Sequence, residues 1–158
     1  MKKGFSLIET VIIVTVLATV MVTITSLLLN SFRARNRVDM TDTLEQNGSY
    51  VISEITKNFL AADAKNVTCA GNQIIMKSIK DGQDTTIICN EGVSIASNSA
   101  NLTKGVKVTN CGQFVTCDGN AGEVTAINIG FTLTSGVPEA GVEDSGTRSF
   151  TAKVAARN

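Results

Sequence analysis

The sequence predicts an α+β protein: a long N-terminal helix, membrane-spanning in its first half, packed by its second half on a small antiparallel β-sheet domain. Three observations predict it. Phe5 to Leu29 is apolar at 17 of 25 positions, with Glu9 the only charge. Leu44, Val51 or Ile52, Ile55 and Phe59 then recur at helical spacing, with Glu45, Ser53, Glu54 and Lys57 between them, as an amphipathic helix requires. Beyond Asn66, apolar and polar residues alternate between turn-forming clusters, the period of strands with one buried face.

Taken in order, residues 1–4 are a short basic stretch with Lys2 and Lys3, and 5–29 the spanning helix. Its 25 residues rise about 37 Å, enough to cross a hydrocarbon core of about 30 Å. An ordinary secretory signal peptide fits less well, because its apolar region is only about 7–15 residues long and ends at an A-x-A-like site. Thr10, Thr15, Thr19, Thr23 and Thr25 are tolerable in lipid if their hydroxyls bond back to helix carbonyls. Residues 30–65 continue the helix as far as about Ala64. No proline stands between Phe5 and Ala64, so one helix of up to about 60 residues, near 90 Å, is expected. Gly48, in Asn47-Gly48-Ser49, is its expected weak point, since glycine costs about 1 kcal/mol relative to alanine there.

Residues 66–158 read as the β domain. Gln73 to Ile79 and Thr85 to Asn90 flank Lys80 to Asp84, which carries hairpin turn chemistry. Val93 to Ala96 and Val106 to Thr109 are shorter strand candidates. Val124 to Leu133 is the clearest, with Ile127, Ile129, Phe131 and Leu133 alternating, and Phe150, Ala152 and Val154 repeat the pattern. Ser135 to Thr147, holding the only proline, is a long connection. One-sided strands need a cover, and the apolar stripe of the second helical segment supplies it.

Composition narrows the function. Net charge is zero, and without Lys2 and Lys3 the chain holds 12 basic against 14 acidic residues. A general nucleic-acid binder carries a basic surplus, so nucleic acid is an unexpected partner, with Arg33, Arg35 and Arg37 the one local basic group after the span. The chain has no histidine, no paired-carboxylate or nucleophile motif and no phosphate loop, so no catalytic activity and no cofactor are expected. Asp118, Asn120 and Glu123 place oxygen ligands in one loop, which raises calcium, but a solvated turn is the simpler reading.

Cys69, Cys89, Cys111 and Cys117 fit two disulfides in an exported domain. Zinc is disfavoured by the missing histidines and the lack of C-x-x-C spacing. Three connectivities are open. Cys69–Cys89 with Cys111–Cys117 is the preferred one, because each bond then stays within one hairpin or loop.

Lys2, Lys3, Gly4, Phe5, Ser6, Leu7, Ile8 and Glu9 resemble the class III signal of type IV prepilins and secretion pseudopilins. In that family a basic leader ends in glycine and precedes a phenylalanine-led helix with glutamate at its fifth position. The resemblance implies cleavage after Gly4 by a prepilin peptidase and methylation of the new amine on Phe5. It implies that Glu9 neutralises the amine of a neighbouring subunit during assembly. The implied partners are other pilin or pseudopilin subunits, the peptidase, the inner-membrane assembly platform and the membrane. The spacing from Leu102–Val106 to the Phe150-to-Asn158 end resembles that of a minor pilin or minor pseudopilin rather than a major subunit. Charge alone leaves orientation near a tie between Lys2 with Lys3 and the three arginines. The resemblance and the cysteines place the C-terminal domain outside the cytoplasmic membrane. The competing expectation is a single-pass anchored binding domain that never polymerises, for which Glu9 has no purpose.

Overall fold

The computed structural model describes residues 6–120, 123–135 and 146–156. Its architecture is α+β: among the described residues, one long N-terminal helix and nine antiparallel strands. Two compact units divide the chain, residues 1–39 and residues 40–158.

Helix α1 runs Leu7–Ala61. In the first unit its apolar side chains, from Leu7 to Phe32, are all exposed. The threonine hydroxyls behave as lipid would require. Thr10, Thr15 and Thr23 donate to the carbonyls of Leu7, Ile12 and Val20 at 2.8 Å. Thr19 and Thr25 donate one turn back to Thr15 and Met21.

In the second unit α1 buries Leu44, Gly48, Val51, Ile55 and Phe59. Val51 is fully buried and Ile52 only half-buried, which decides between the two. The helix runs through Gly48 without interruption. The expected weak point is instead a close approach: a Cβ at Gly48 would overlap the ring of Phe150. Neighbouring Asn47 donates to the Thr43 carbonyl and accepts from the backbone N–H of Lys104 at 2.8 Å.

The helix ends at Ala61, three residues before the expected Ala64, and β1 (Ala62–Cys69) follows directly. Asp63 accounts for the early exit. Its carboxylate accepts from the Lys65 N–H and from Asn66 Nδ2, both at 3.1 Å, and such Asx bonding competes with helix continuation. The register shifts between Ala62 and Val67. The Ala61 carbonyl, left without a partner further along the helix, accepts from the Ile79 N–H.

The strands form two sheets. The first is β1-β2-β3-β4-β5, with β2 Gln73–Ser78, β3 Asp84–Asn90, β4 Ser94–Ser97 and β5 Ala100–Asn101. The second centres on β8 (Glu123–Ser135), with β9 (Gly146–Ala155) on one side. β6 (Lys107–Thr109) and β7 (Val115–Asn120) pair with successive stretches of β8. β1, β5 and β7 were not expected from the sequence. The β2–β3 turn is, and it is held by Gly82 at φ 67° and by Asp81 accepting from the Gln83 N–H.

One hydrophobic cluster joins the helix stripe to both sheets. Ile74, Met76 and Ile87 come from the first sheet, Ile127, Ile129, Phe131 and Leu133 from β8, and all seven are buried. Phe131 meets Phe114 edge-on at 6.0 Å and stacks on Phe150 at 5.4 Å. Buried Thr103 accepts from the Ile95 N–H, and buried Ser94 bonds to Asn101. Burial therefore leaves neither hydroxyl unsatisfied.

Candidate functional site

The candidate site is the start of α1. Gly4 and Phe5, the expected processing and assembly residues, lie outside the described residues. The Ser6 carbonyl accepts from the N–H groups of Glu9 and Thr10 at 3.0 and 3.3 Å, so the first turn closes at Glu9. A carboxylate in the first turn is favoured by the unpaired N–H groups of a helix N-terminus. Glu9 is exposed, and the apolar side chains of Leu7, Ile8, Val11 and Ile12 around it are exposed too. From Leu7 to Leu29 it is the only charged residue. The helix is long and apolar enough to cross a membrane, and none of its most apolar stretch is buried. This surface is compatible with a single-pass anchor. Arg33, Arg35 and Arg37 follow it, all exposed.

All four cysteines are disulfide-bonded, but not as preferred from locality. Cys69 bonds Cys117 and Cys89 bonds Cys111, with Cα separations of 5.8 and 5.5 Å. The preferred Cys69–Cys89 bond is ruled out by the sheet: β2 lies between β1 and β3, with Cys69 opposite Ile74 and Ile74 opposite Ile87. Two strand spacings, about 10 Å, exceed the roughly 7 Å that a disulfide spans. Cys111 sits in a 3-10 turn (Cys111–Gln113), and β7 carries Cys117 away from it. Both bonds instead link the first sheet to the β7 side of the second, alongside a Gly71–Val115 bridge.

Glu91 was not foreseen as a positioning residue. Its carboxylate accepts from the N–H groups of Asn110 and Cys111 at 3.0 and 2.7 Å, fixing the turn that presents Cys111 to Cys89. Asn110 has φ 66°, a left-handed conformation that asparagine tolerates. No signal short of the fold connects Glu91 to that turn.

Asp118, of the calcium reading, accepts from Lys153 Nζ and Asn128 Nδ2, both at 2.9 Å. Those two bonds, Lys153 first, hold its carboxyl below the usual carboxylate range. Backbone pairing sets Asn120 opposite Glu123 at the end of the β7–β8 hairpin. Asp118 thus serves an ion pair across the sheet. Beside it a shallow trough of about 380 Å³ runs over Gly130, lined by Gln113, Thr116, Asn128, Thr151 and Lys153.

No protein-family model matches this chain, and neither a curated protein nor a solved structure matches it.

Proposed function

We propose that this chain is a pilin-like structural subunit of a type IV pilus, pseudopilus or competence filament, processed after Gly4 and assembled through its N-terminal helix. The observation that carries the reading is Glu9, the only charge from Leu7 to Leu29 on an exposed apolar stretch, four residues after Phe5 in the sequence. An ionisable group within a spanning helix is expensive and calls for a partner. A new amine at Phe5 of a neighbouring copy is such a partner.

The mechanism has two stages. Before assembly, the helix from Phe5 to Leu29 stores the subunit in the cytoplasmic membrane with its β domain outside. During assembly, helix–helix packing replaces lipid contact, and the Glu9–amine pair sets the register by satisfying two charges that would otherwise be unpaired. The work of extraction comes from a separate assembly ATPase.

Mass spectrometry of the N-terminus, on chain isolated from membranes of the native host, tests the proposal. A chain beginning at N-methylated Phe5 is expected. An intact Met1, or cleavage beyond Leu29, would overturn it. Glu9→Ala separates a filament subunit from a plain anchor, with filament incorporation expected to fall while the membrane-inserted pool persists. A reporter fused after Asn158 reads the side of the membrane on which the β domain lies.

A further inference from the structure

The two disulfides are nested: the 22-residue separation of Cys89–Cys111 lies wholly within the 48-residue separation of Cys69–Cys117. In the unfolded, reduced chain the nearest cysteines are Cys111 and Cys117, six residues apart. Closure becomes less frequent as roughly the three-halves power of loop length, so this pair meets about twentyfold more often than Cys69 with Cys117. Once it forms, Cys69 and Cys89 are the only thiols left. Their oxidation gives a chain with two disulfides and no free thiol to attack either. That form cannot fold, because β2 holds β1 and β3 too far apart for a Cys69–Cys89 bond. Export from the N-terminus, the order of emergence that follows from the extracytoplasmic placement proposed above, presents Cys69 and Cys89 before Cys111 and Cys117, and so favours the same mispairing.

We propose that this chain is a client of a thiol–disulfide isomerase, which converts the locally paired form into the nested one. The exchange balances without an oxidant. An isomerase thiolate attacks the Cys117 sulfur, forming a mixed disulfide and releasing Cys111 as thiolate. Cys111 attacks the Cys89 sulfur of Cys69–Cys89, making one native bond and freeing Cys69. Cys69 then attacks Cys117 in the mixed disulfide, makes the second native bond and expels the isomerase thiolate. Two disulfides enter and two leave. Glu91 favours the product, since its carboxylate holds the Cys111 turn next to the end of β3 that carries Cys89.

The test is refolding of the reduced full chain in detergent micelles, in a glutathione buffer, with and without a purified disulfide isomerase. Alkylation at timed intervals and peptide mapping identify the bonds. Species carrying Cys111–Cys117 are expected early, and the isomerase is expected to speed the native pairs by about tenfold or more. Direct formation of both native bonds at a rate the isomerase does not change would overturn the proposal. A Cys69→Ser, Cys117→Ser variant keeps only Cys89 and Cys111 and has nothing to mispair, so the enzyme can speed only its oxidation and should accelerate it clearly less than the parent. Equal acceleration of that variant would also overturn it, since the enzyme would then be acting on bond formation rather than on rearrangement. Refolding reads the chain's own chemistry, so its outcome is separate from membrane placement, which the Asn158 fusion decides.

Discussion

A methyl group added at position 48 would act in two opposing ways. Alanine raises helix propensity by about 1 kcal/mol over glycine. The same methyl would overlap the Phe150 ring, which is buried and stacked on Phe131 and has little room to move. Overpacking of this kind costs about 1–3 kcal/mol, so Gly48→Ala is expected to destabilise the domain despite the better helix former. Chemical denaturation reads this, and Phe150→Leu in the same chain should recover part of the loss. Ser99 presents the reverse case. Asn98 and Ser99 form the β4–β5 turn with φ 46° and 72°, a geometry that favours glycine at the second position. Ser99→Gly should therefore raise stability by about 0.5–1 kcal/mol. Asp118 predicts a pH effect. With its carboxyl held below the usual range by Lys153 and Asn128, the folded state binds fewer protons than the unfolded one. The contribution is fully present above the usual aspartate range and is lost as pH falls through the depressed value. Denaturant midpoints measured below about pH 4 should fall less steeply in Lys153→Met than in the parent, and parallel curves would refute the assignment.

Between elements, the disulfides are the long-range ties. Removing Cys69–Cys117 by paired alanine substitution should cost about 4 kcal/mol, and removing Cys89–Cys111 about 3, because the outer loop is longer. Equilibrium unfolding of the two variants checks both the size and the order. This pairing could not be read in advance, because it depends on which strands become neighbours rather than on spacing along the chain. The same distinction separates the legible strands from the others. Ile127, Ile129, Phe131 and Leu133 announced β8 by alternation, and all four are buried. β1 contains Asp63, Lys65 and Asn66 and is a strand because β2 pairs with it. β7 reads as turn chemistry at Asp118, Gly119 and Asn120, yet it pairs with β8 through a bulge at Asp118/Gly119. The helix stripe was legible because Leu44, Val51, Ile55 and Phe59 share one period. The purpose of Gly48 was not, since its partner Phe150 lies at the far end of the chain. At the candidate site, Glu9 stood out as a charge among apolar residues, whereas Glu91 acquires its role only when β3 meets the 3-10 turn.

At the scale of the molecule, the core and the apolar span are drawn from separate stretches of chain. Among the described residues, every member of the hydrophobic cluster, with the partly buried residues around it, lies between Leu44 and Ala156. Residues 40–158 form a compact unit that holds both disulfides. The part of α1 within it is stabilised by tertiary burial of its stripe rather than by helix length, the usual source of helix stability in proteins. A fragment of residues 40–158 is therefore expected to fold without detergent, form the same two disulfides and unfold cooperatively, within about 1 kcal/mol of the full chain. Near-ultraviolet circular dichroism, denaturant titration and disulfide mapping read these properties. Loss of near-ultraviolet signal with helical signal retained would show that the core depends on residues before Met40. Autonomy of this kind is what a two-stage subunit needs. If the β domain is stable without the apolar segment, that segment can exchange lipid for neighbouring helices without unfolding the rest. If the chain assembles as proposed, the free energy of that step would then depend on Phe5 to Leu29 and Glu9, and the β domain could vary without altering it.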